Sequence, residues 1–143
     1  MGPPFDPSSI PPFSVIRLPY RFGNDPPVSK LFVVLGHKLN GRRDWYAICI
    51  KATSNAAAYA DQRKRRGCVH YPARSLECFP LETFIEIDNQ FPISHADIRR
   101  AHQDGQFESH DLPDDFETRL HEAIQASITL SPREKQRLLE LLT

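Results

Sequence analysis

Two apolar segments, KLFVVLGH (30–37) and WYAICIKATS (45–54), lie on either side of the dipeptide Asn40-Gly41. Residues with β-branched or aromatic side chains favour strands, and an unbroken apolar run is typical of a strand buried on both faces. Asn-Gly is the preferred pair for a two-residue type I′ hairpin turn. The sequence therefore predicts an antiparallel hairpin whose strands are buried on both faces.

Further strands are predicted before and after this hairpin. In the first of them, Ser14, Ile16 and Leu18 point to the same face of the strand. The segment NAAAYADQRKRRG (55–67) is predicted to be a mobile, exposed loop because of its basic run and Gly67. The predicted strands are SVIRLPY (14–20), CVHYPA (68–73) and LECFPLETFIEID (76–88), the last of which can form one strand or two.

After residue 92 the apolar residues recur with helical spacing. Ser94 can cap a helix that ends before Gly105, and Phe116, Leu120 and Ile124 form the apolar stripe of another. The predicted helices are ISHADIRRAHQDG (93–105), DLPDDFETRLHEAIQAS (111–127) and SPREKQRLLELL (131–142), the last with a capping box from Ser131 and Glu134. Strands first and helices last predict the α+β class.

The length and composition are those of one globular domain. The 143 residues include 25% charged and 40% hydrophobic residues, which excludes a wholly disordered chain. Residues 1–13 contain five prolines and are predicted to be a flexible, extended arm without packed structure, followed by a single domain over 14–143.

We find no apolar stretch near the roughly 20 residues that span a membrane. Three cysteines, an odd number, argue against a disulfide scaffold. The expected location is therefore the reducing cytoplasm, without a membrane partner.

Charge is divided along the chain. Residues 14–77 contain 12 Lys or Arg and 4 Asp or Glu, whereas residues 78–143 contain 6 and 13. A basic half favours a polyanion-binding surface, but two surfaces of mixed charge would give the same count. The candidate nucleic-acid-binding residues are Arg21, Arg42, Arg43, Lys51, Arg63, Lys64, Arg65 and Arg66, and the candidates for stacking on unpaired bases are Trp45, Tyr59 and Tyr71.

Cleavage of RNA without a metal needs a base for the 2′-hydroxyl, an acid for the 5′-oxygen and a cation for the phosphorane. Lys30 opens one strand of the predicted hairpin and Thr53 closes the other, so both lie at the end away from the turn. His70 is the candidate general acid or base, since an imidazole can serve as either near neutral pH. Cys68, His70 and Cys78 form an incomplete zinc pattern without a fourth ligand, and we expect no metal there.

The strand SVIRLPYRFG, the strand KLFVVLG and the return AICIKATSN together resemble the PemK/MazF-like toxins of type II toxin–antitoxin systems. In that family an early strand precedes a basic-x-hydrophobic-Val-Val-Leu strand, and the return strand ends in two hydroxyl residues. The segment LETFIEIDNQFPIS is similar to later strands of the family. The likeness covers roughly residues 14–103.

The resemblance implies a small SH3-like β-barrel of about five to seven strands over residues 14–90, followed by helices over 94–142. It also implies a homodimer that cuts single-stranded RNA without a metal or other cofactor and is neutralised by an antitoxin. The family's catalytic arginine falls on Lys30, and its hydroxyl falls on Thr53, with Ser54 beside it.

One departure from the family keeps a second function open. Lys30 is a point charge and cannot make the two parallel hydrogen bonds that an arginine makes to a phosphate. The proline that usually follows is Leu31 here. The alternative hypothesis is a non-catalytic PemK-like module that binds nucleic acid or a protein partner. A third is a structural or phage-encoded protein that assembles through its C-terminal helices.

Overall fold

The computed structural model describes residues 5–142. Within that range the chain forms one six-stranded antiparallel sheet with helices, which confirms the α+β class. The strands are β1 (Ser14–Tyr20), β2 (Val28–Leu39), β3 (Trp45–Thr53), β4 (Cys68–Tyr71), β5 (Thr83–Ser94) and β6 (Glu108–Asp111). The helices are α1 (Gln62–Arg66), α2 (His95–Gln103), α3 (Phe116–Ala126) and α4 (Pro132–Leu141), with short 3-10 helices at Pro7–Ser9 and Ala56–Tyr59.

The predicted hairpin forms the centre of the sheet, whose strand order is β4-β5-β3-β2-β1-β6. Strands β2 and β3 pair from Leu31 opposite Ala52 to Leu39 opposite Trp45. The predicted hairpin is therefore confirmed. Its β-branched and aromatic residues form both layers of the core, so the hairpin is buried on both faces as expected.

The turn of this hairpin is not the predicted type I′ turn. The connection is five residues long, and among them only Arg43 has a positive φ, of 62°. Asn40 organises the connection: its Oδ1 accepts hydrogen bonds from the backbone N–H groups of Arg42 (2.8 Å) and Asp44 (2.9 Å). With these hydrogen bonds the connection closes with one left-handed residue, Arg43, where a type I′ turn requires two.

Each face of the sheet carries its own hydrophobic layer. On the first face, residues of β1, β2, β3 and β5 such as Val15, Val33 and Ile50 pack against the C-terminal helices. The apolar stripe of α3 and the capping box of α4 are those predicted from the sequence. On the second face, Ile16 and Phe32 belong to a layer that includes Ile98 of α2. Alternate residues of one strand therefore enter different layers, as the two-residue period of a strand requires.

A closed barrel was expected from the family resemblance, and the sheet is not closed. Strands β4 and β6 form its two edges, and within residues 5–142 they do not pair with each other. The reason lies in the helices. Phe116, Leu120 and Ile124 of α3 are buried against the first face, in the space that the sheet would have to curl into in order to close.

Strand β6 was not predicted. It lies beside β1, with Arg17 opposite Glu108 and Ser14 opposite Asp111. Its sequence, ESHD, has no apolar residue, and its side chains are exposed or half-buried. The strand forms because β1 offers an unpaired edge, which is a tertiary cause that local sequence does not carry.

The proline-rich arm is packed over the part that the structure describes, contrary to the prediction, while residues 1–4 lie outside the described range. Ile10 is buried in the second layer. Phe5 stacks on His102 of α2 with ring centroids 4.2 Å apart. His37 binds the arm directly, since its Nε2 lies 2.8 Å from the carbonyl oxygen of Ile10.

The basic segment over 55–67 is folded and is not the predicted mobile loop. It contains the second 3-10 helix and α1, which is capped by Asp61 through a hydrogen bond from the Arg63 N–H (2.9 Å). Tyr59 is buried in its middle, and its ring is stacked on Phe84 of β5. The four basic side chains of α1 remain exposed.

Helix α2 follows the prediction, with the hydroxyl of Ser94 accepting a hydrogen bond from the Asp97 N–H (3.1 Å). Gly105 takes a φ of 69° just after the helix, which is the left-handed conformation that glycine adopts most readily. In the part of the chain that is described, we find no helix with the length and apolarity to cross a membrane.

Packing of the arm predicts a stability effect. Ile10→Ala should lower the free energy of unfolding by about 2–5 kcal/mol, because it removes a buried side chain and leaves a cavity. Urea unfolding followed by circular dichroism measures this change. The matched control Ile128→Ala alters an exposed isoleucine and should change the free energy by less than about 0.5 kcal/mol. Equal effects of the two substitutions would contradict a packed arm.

A histidine pair beneath the arm, with His95 buried and His37 half-buried, predicts a pH effect. His37 Nδ1 and His95 Nε2 are 2.8 Å apart, and burial, followed by the neighbouring His37, lowers the pKa of His95, while Asp6 opposes that shift. The unfolded chain, with its ordinary histidine pKa of about 6.5, then binds more protons than the folded chain in acid. Stability should therefore fall as the pH drops from about 7 to about 5.

Thermal or urea unfolding at several pH values in that window, for the native protein and for His95→Gln, measures this dependence. The glutamine variant cannot take up the proton, so its stability should vary less with pH. A dependence that is the same in both proteins would exclude His95 as its source.

Candidate functional site

The residues predicted for catalysis meet in one row across the sheet. Thr53 of β3 is paired with Phe84 of β5, and Phe84 is paired with His70 of β4. On the other side, the pairing of β2 with β3 ends at Leu31 opposite Ala52, and continuing the same register places Lys30 beside Thr53. Directly opposed residues point to the same face, and neighbouring strands are about 4.8 Å apart. We call Lys30, Thr53, Phe84 and His70 the Lys30 row.

The ammonium group of Lys30 is half-buried against an aromatic ring. Its Nζ lies 5.9 Å from the centroid of the Phe22 ring, and the Nζ of Lys51 lies 5.8 Å from the same centroid. Phe22 in turn contacts Tyr20 and Phe91 of the second layer. Two cations are therefore held beside each other at the strand end where the row begins.

The hydroxyl of Thr53 has a free proton to donate. Its Oγ1 accepts a hydrogen bond from the Asn55 N–H at 3.3 Å. This bond uses a lone pair of the oxygen and leaves its O–H available to another acceptor. Ser54, the second hydroxyl of the sequence motif, is exposed beside it. Thr53 can thus donate to an anionic oxygen placed over the end of β3.

His70 stands at the far end of the row, beside an acidic side chain. Its Nε2 lies 3.1 Å from Oε2 of Glu82, without the alignment of a hydrogen bond, and its ring lies 4.9 Å from that of Phe84. Its carbonyl oxygen accepts a hydrogen bond from Nη2 of Arg119 on α3. The imidazole is thereby fixed on the Thr53 face, two strand spacings or about 10 Å from Thr53 along the sheet.

A bulge in β5 lies in the middle of this face. Between the pairs Ile50–Gln90 and Ala52–Ile85, one β3 residue, Lys51, is opposite the four residues 86–89. Glu86 occupies this bulge. It accepts a hydrogen bond from the Tyr59 hydroxyl and lies 3.3 Å from the Lys51 ammonium.

The Lys51 ammonium has its ion-pair partner, Glu86, within the protein. Burial and the Glu86 hydrogen bond raise the pKa of Tyr59, so the phenol stays protonated and can keep donating to Glu86. Lys51, predicted to bind nucleic acid, is therefore engaged inside the protein, and Lys30 is the cation nearer to the end of the strand.

A cleft of about 220 Å³ opens at the same strand end. It is lined by Arg17, Ser29, Lys30, Leu31, Ala52, Thr53, Ser54, Pro80, Leu81 and Thr83. Three of the predicted site residues therefore share one concavity, and His70 lies outside it. We call this concavity the Thr53 cleft.

Arg17 is the residue of this cleft that sequence reasoning missed. It lies on the same face of β1 as Val15, opposite Leu31. Its Nε is buried and has no hydrogen-bond partner among the described residues, and the nearest carboxylate oxygen, in Glu108, is 3.9 Å away. The signal was an arginine at a core-facing position of a strand, because such a residue needs a polar environment in the fold.

The other predicted basic residues do not form one patch. Arg42 and Arg43 lie at the hairpin connection, at the opposite end of β2 and β3 from Lys30. Arg63 and Arg65 lie near carboxylates, 3.5 Å from Asp61 and 4.0 Å from Glu82. Lys64 lines a separate cleft with Ser127 and Thr129, Arg66 is exposed at the end of α1, and Arg21 lies just after β1.

Two of the three predicted stacking residues are unavailable. Tyr59 and Tyr71 are buried, at 9% and 4% exposure, whereas Trp45 is 50% exposed and stacks one face of its ring on His95. The cysteines of the incomplete zinc pattern lie in different hydrophobic clusters, and burial raises the pKa of Cys68 to about 11, so its thiol stays protonated. Within residues 5–142 no three His, Cys, Asp or Glu side chains are grouped as a metal ion would need.

Comparison with known proteins gives no independent assignment of this site. No protein-family model, no curated protein and no solved structure matches the chain. The resemblance to PemK/MazF-like toxins therefore rests on the strand motifs, and the function has to be argued from the Lys30 row and the Thr53 cleft.

Proposed function

We propose that this protein is an endoribonuclease of the PemK/MazF-like type that cleaves single-stranded RNA without a metal. The observation that carries the proposal is the Lys30 row. Three side chains predicted from the sequence, Lys30 and Thr53 as a pair and His70 by itself, lie on one face of the sheet, on β2, β3 and β4. They supply a cation, a hydroxyl donor and an imidazole.

The reaction follows from these groups. The 2′-oxygen loses its proton and bonds to the adjacent phosphorus, the bond from phosphorus to the 5′-oxygen breaks, and that oxygen gains a proton. The products are a 2′,3′-cyclic phosphate and a 5′-hydroxyl end. Lys30 and Thr53 stabilise the charged phosphorane, and His70, whose strand lies about 10 Å from that of Thr53, takes part in the proton transfer only through bridging water. Ser54 also lines the cleft and is a further hydroxyl donor.

The open sheet is compatible with this assignment. In our proposal, β1 to β5 correspond to the strands of an SH3-like barrel that the C-terminal helices have kept open. The bulge in β5 is the kind of irregularity that bends a strand at the rim of a barrel. The α2–α4 region is then an addition to the compact core of the family.

Membership of this family would also imply partners. We propose an antitoxin that covers the Thr53 cleft, a second copy of the chain as a homodimer partner, and a cytoplasmic location. The three cysteines are free and buried, which is consistent with a reducing compartment.

A non-catalytic module is the second candidate, and the engagement of Lys51 by Glu86 favours it. With that ammonium neutralised and a lysine in place of the family arginine, the row has one available cation and no guanidinium. Such a surface can hold a phosphate without accelerating its transfer. The two candidates differ in cleavage, which makes the test direct.

The test uses purified protein and single-stranded RNA in EDTA. Thr53→Val, which removes the hydroxyl and keeps the shape, should reduce the cleavage rate by about 10²–10³, the usual cost of losing a donor to the transition state. Lys30→Ala should reduce it at least as much, and Lys30→Arg should retain or raise it. The matched controls Thr118→Val, on the exposed side of α3, and Lys38→Ala, at the far end of β2, should leave it unchanged.

Cleavage that persists unchanged in both Thr53→Val and Lys30→Ala would exclude this site. Binding of RNA by the native protein without any cleavage would favour the module.

His70 has a separate expectation. His70→Gln should lower the cleavage rate by about 10²–10⁴, the range for loss of general acid–base catalysis, while RNA affinity stays within about twofold. Gel analysis of initial rates together with anisotropy of bound RNA separates the two effects. His121→Gln, on α3, is the matched control. A loss of affinity with an unchanged rate would show that His70 binds substrate and transfers no proton.

A further inference from the structure

Three clefts of the molecule join into one groove. The Thr53 cleft shares Arg17 and Ser29 with a second cleft of about 540 Å³. The second cleft shares Pro19, Pro27 and Gln106 with a third, also of about 540 Å³. The three clefts therefore adjoin one another from Thr53 past Arg17 to the region of α2, and we treat them as one path. We call it the β1 groove.

The groove exists because β6 covers only part of β1. Pairing between the two strands stops at Arg17 opposite Glu108, although β1 continues to Tyr20. Gly105, with its positive φ, lies just after α2, and Gly105 and Gln106 line a cleft together with Pro19 of β1. The groove therefore passes from one face of the sheet to the other around this unpaired stretch of strand.

Three arginines line the groove: Arg17 in its first part, and Arg21 and Arg100 in its last. Acidic residues line it too, namely Glu108, Asp97 and Asp104. The ion pairs between the two sets are long, at 3.9 Å for Arg17–Glu108 and 3.8 Å for Arg100–Asp97. Exposed pairs of this kind stabilise a protein by about 1 kcal/mol or less.

Arg17 adds a second reason to expect a ligand. Its buried Nε has no hydrogen-bond partner within residues 5–142, and a buried donor without a partner is costly. A guanidinium forms short, paired hydrogen bonds to phosphate, which an acidic side chain at 3.9 Å does not replace. Nε itself is inaccessible, so a phosphate in the groove would contact the terminal nitrogens of the guanidinium, whose side chain is 39% exposed, and would compete with the weak ion pair.

We propose that the β1 groove binds the sugar–phosphate backbone of single-stranded RNA and leads it to Thr53, with Arg17 as the phosphate contact nearest to the site. The inference rests on the proposed function for its substrate. Arg17 and Arg100 are residues that neither the family motif nor the basic runs of the sequence indicated. Arg17 lines the same cleft as Lys30 but projects from the opposite face of the sheet, because Arg17 is paired with Leu31 whereas Lys30 is paired with Leu18.

The test measures binding without cleavage. A fluorescent 2′-O-methyl RNA of about 12 nucleotides cannot react through its 2′-oxygen, and its anisotropy with the native protein gives the affinity at several salt concentrations. Arg17→Gln, Arg21→Gln and Arg100→Gln should each weaken binding. Each should also reduce the slope of log affinity against log salt by about 0.7, the value for one phosphate contact on a single strand.

Arg133→Gln is the matched control, because it removes an exposed arginine of α4, outside the lining of the groove. It should leave both affinity and slope unchanged. The unfolding midpoint of each variant, compared with that of the native protein, shows whether the fold is intact.

Native affinity and slope in the triple arginine variant would overturn the proposal. So would binding of an acidic peptide at the groove by a protein that does not bind the RNA. Tight, groove-dependent binding of the 2′-O-methyl RNA, together with no cleavage of ordinary RNA, would support the groove and reject the proposed enzymatic function. Cleavage with an unchanged kcat/KM in the three variants would support the enzyme and reject the groove.

Discussion

The burial of β2 on both faces determines where function can reside in this protein. Phe32, Val33 and Val34 have no exposed surface, so both layers of the fold have to cover the centre of the hairpin. The C-terminal helices cover one side, and α2 with the N-terminal arm covers the other. Polar chemistry is thereby displaced to the strand ends, where Lys30, Thr53 and Ser54 line one cleft.

The same double coverage explains why the sheet stays open. A small barrel encloses a single core, whereas this sheet separates two, and the second needs its own helix and arm. An open sheet keeps its edges, and the partial cover of β1 by β6 creates the β1 groove. The features that distinguish the fold from a closed barrel are thus the features that shape its candidate RNA path.

Much of this architecture could be predicted, because it depends on patterns of residues that are close in the sequence. The hairpin, the alternation in β1 and the capped helices α2 and α4 depend on neighbouring residues alone. The exceptions have tertiary causes. Strand β6 depends on the edge of β1, and the arm depends on a carbonyl contact with His37. The prediction of a two-residue hairpin turn was wrong for a local reason. The Asn40 side chain accepts hydrogen bonds from the backbone of the connection, which is therefore longer than an Asn40-Gly41 turn.

The site shows the same division between pattern and contact. Lys30 and Thr53 were predicted from the family resemblance and from their positions at the ends of paired strands, and the strand register brings them together. Arg17 could not be ranked above the other basic residues, because its value lies in an unpartnered donor that only packing reveals. The basic run of α1 drew more attention in the sequence, yet Arg63 and Arg65 there lie beside carboxylates. Arg17 has a comparable contact with Glu108 at 3.9 Å, so what distinguishes it is its place in the cleft that Lys30 and Thr53 also line.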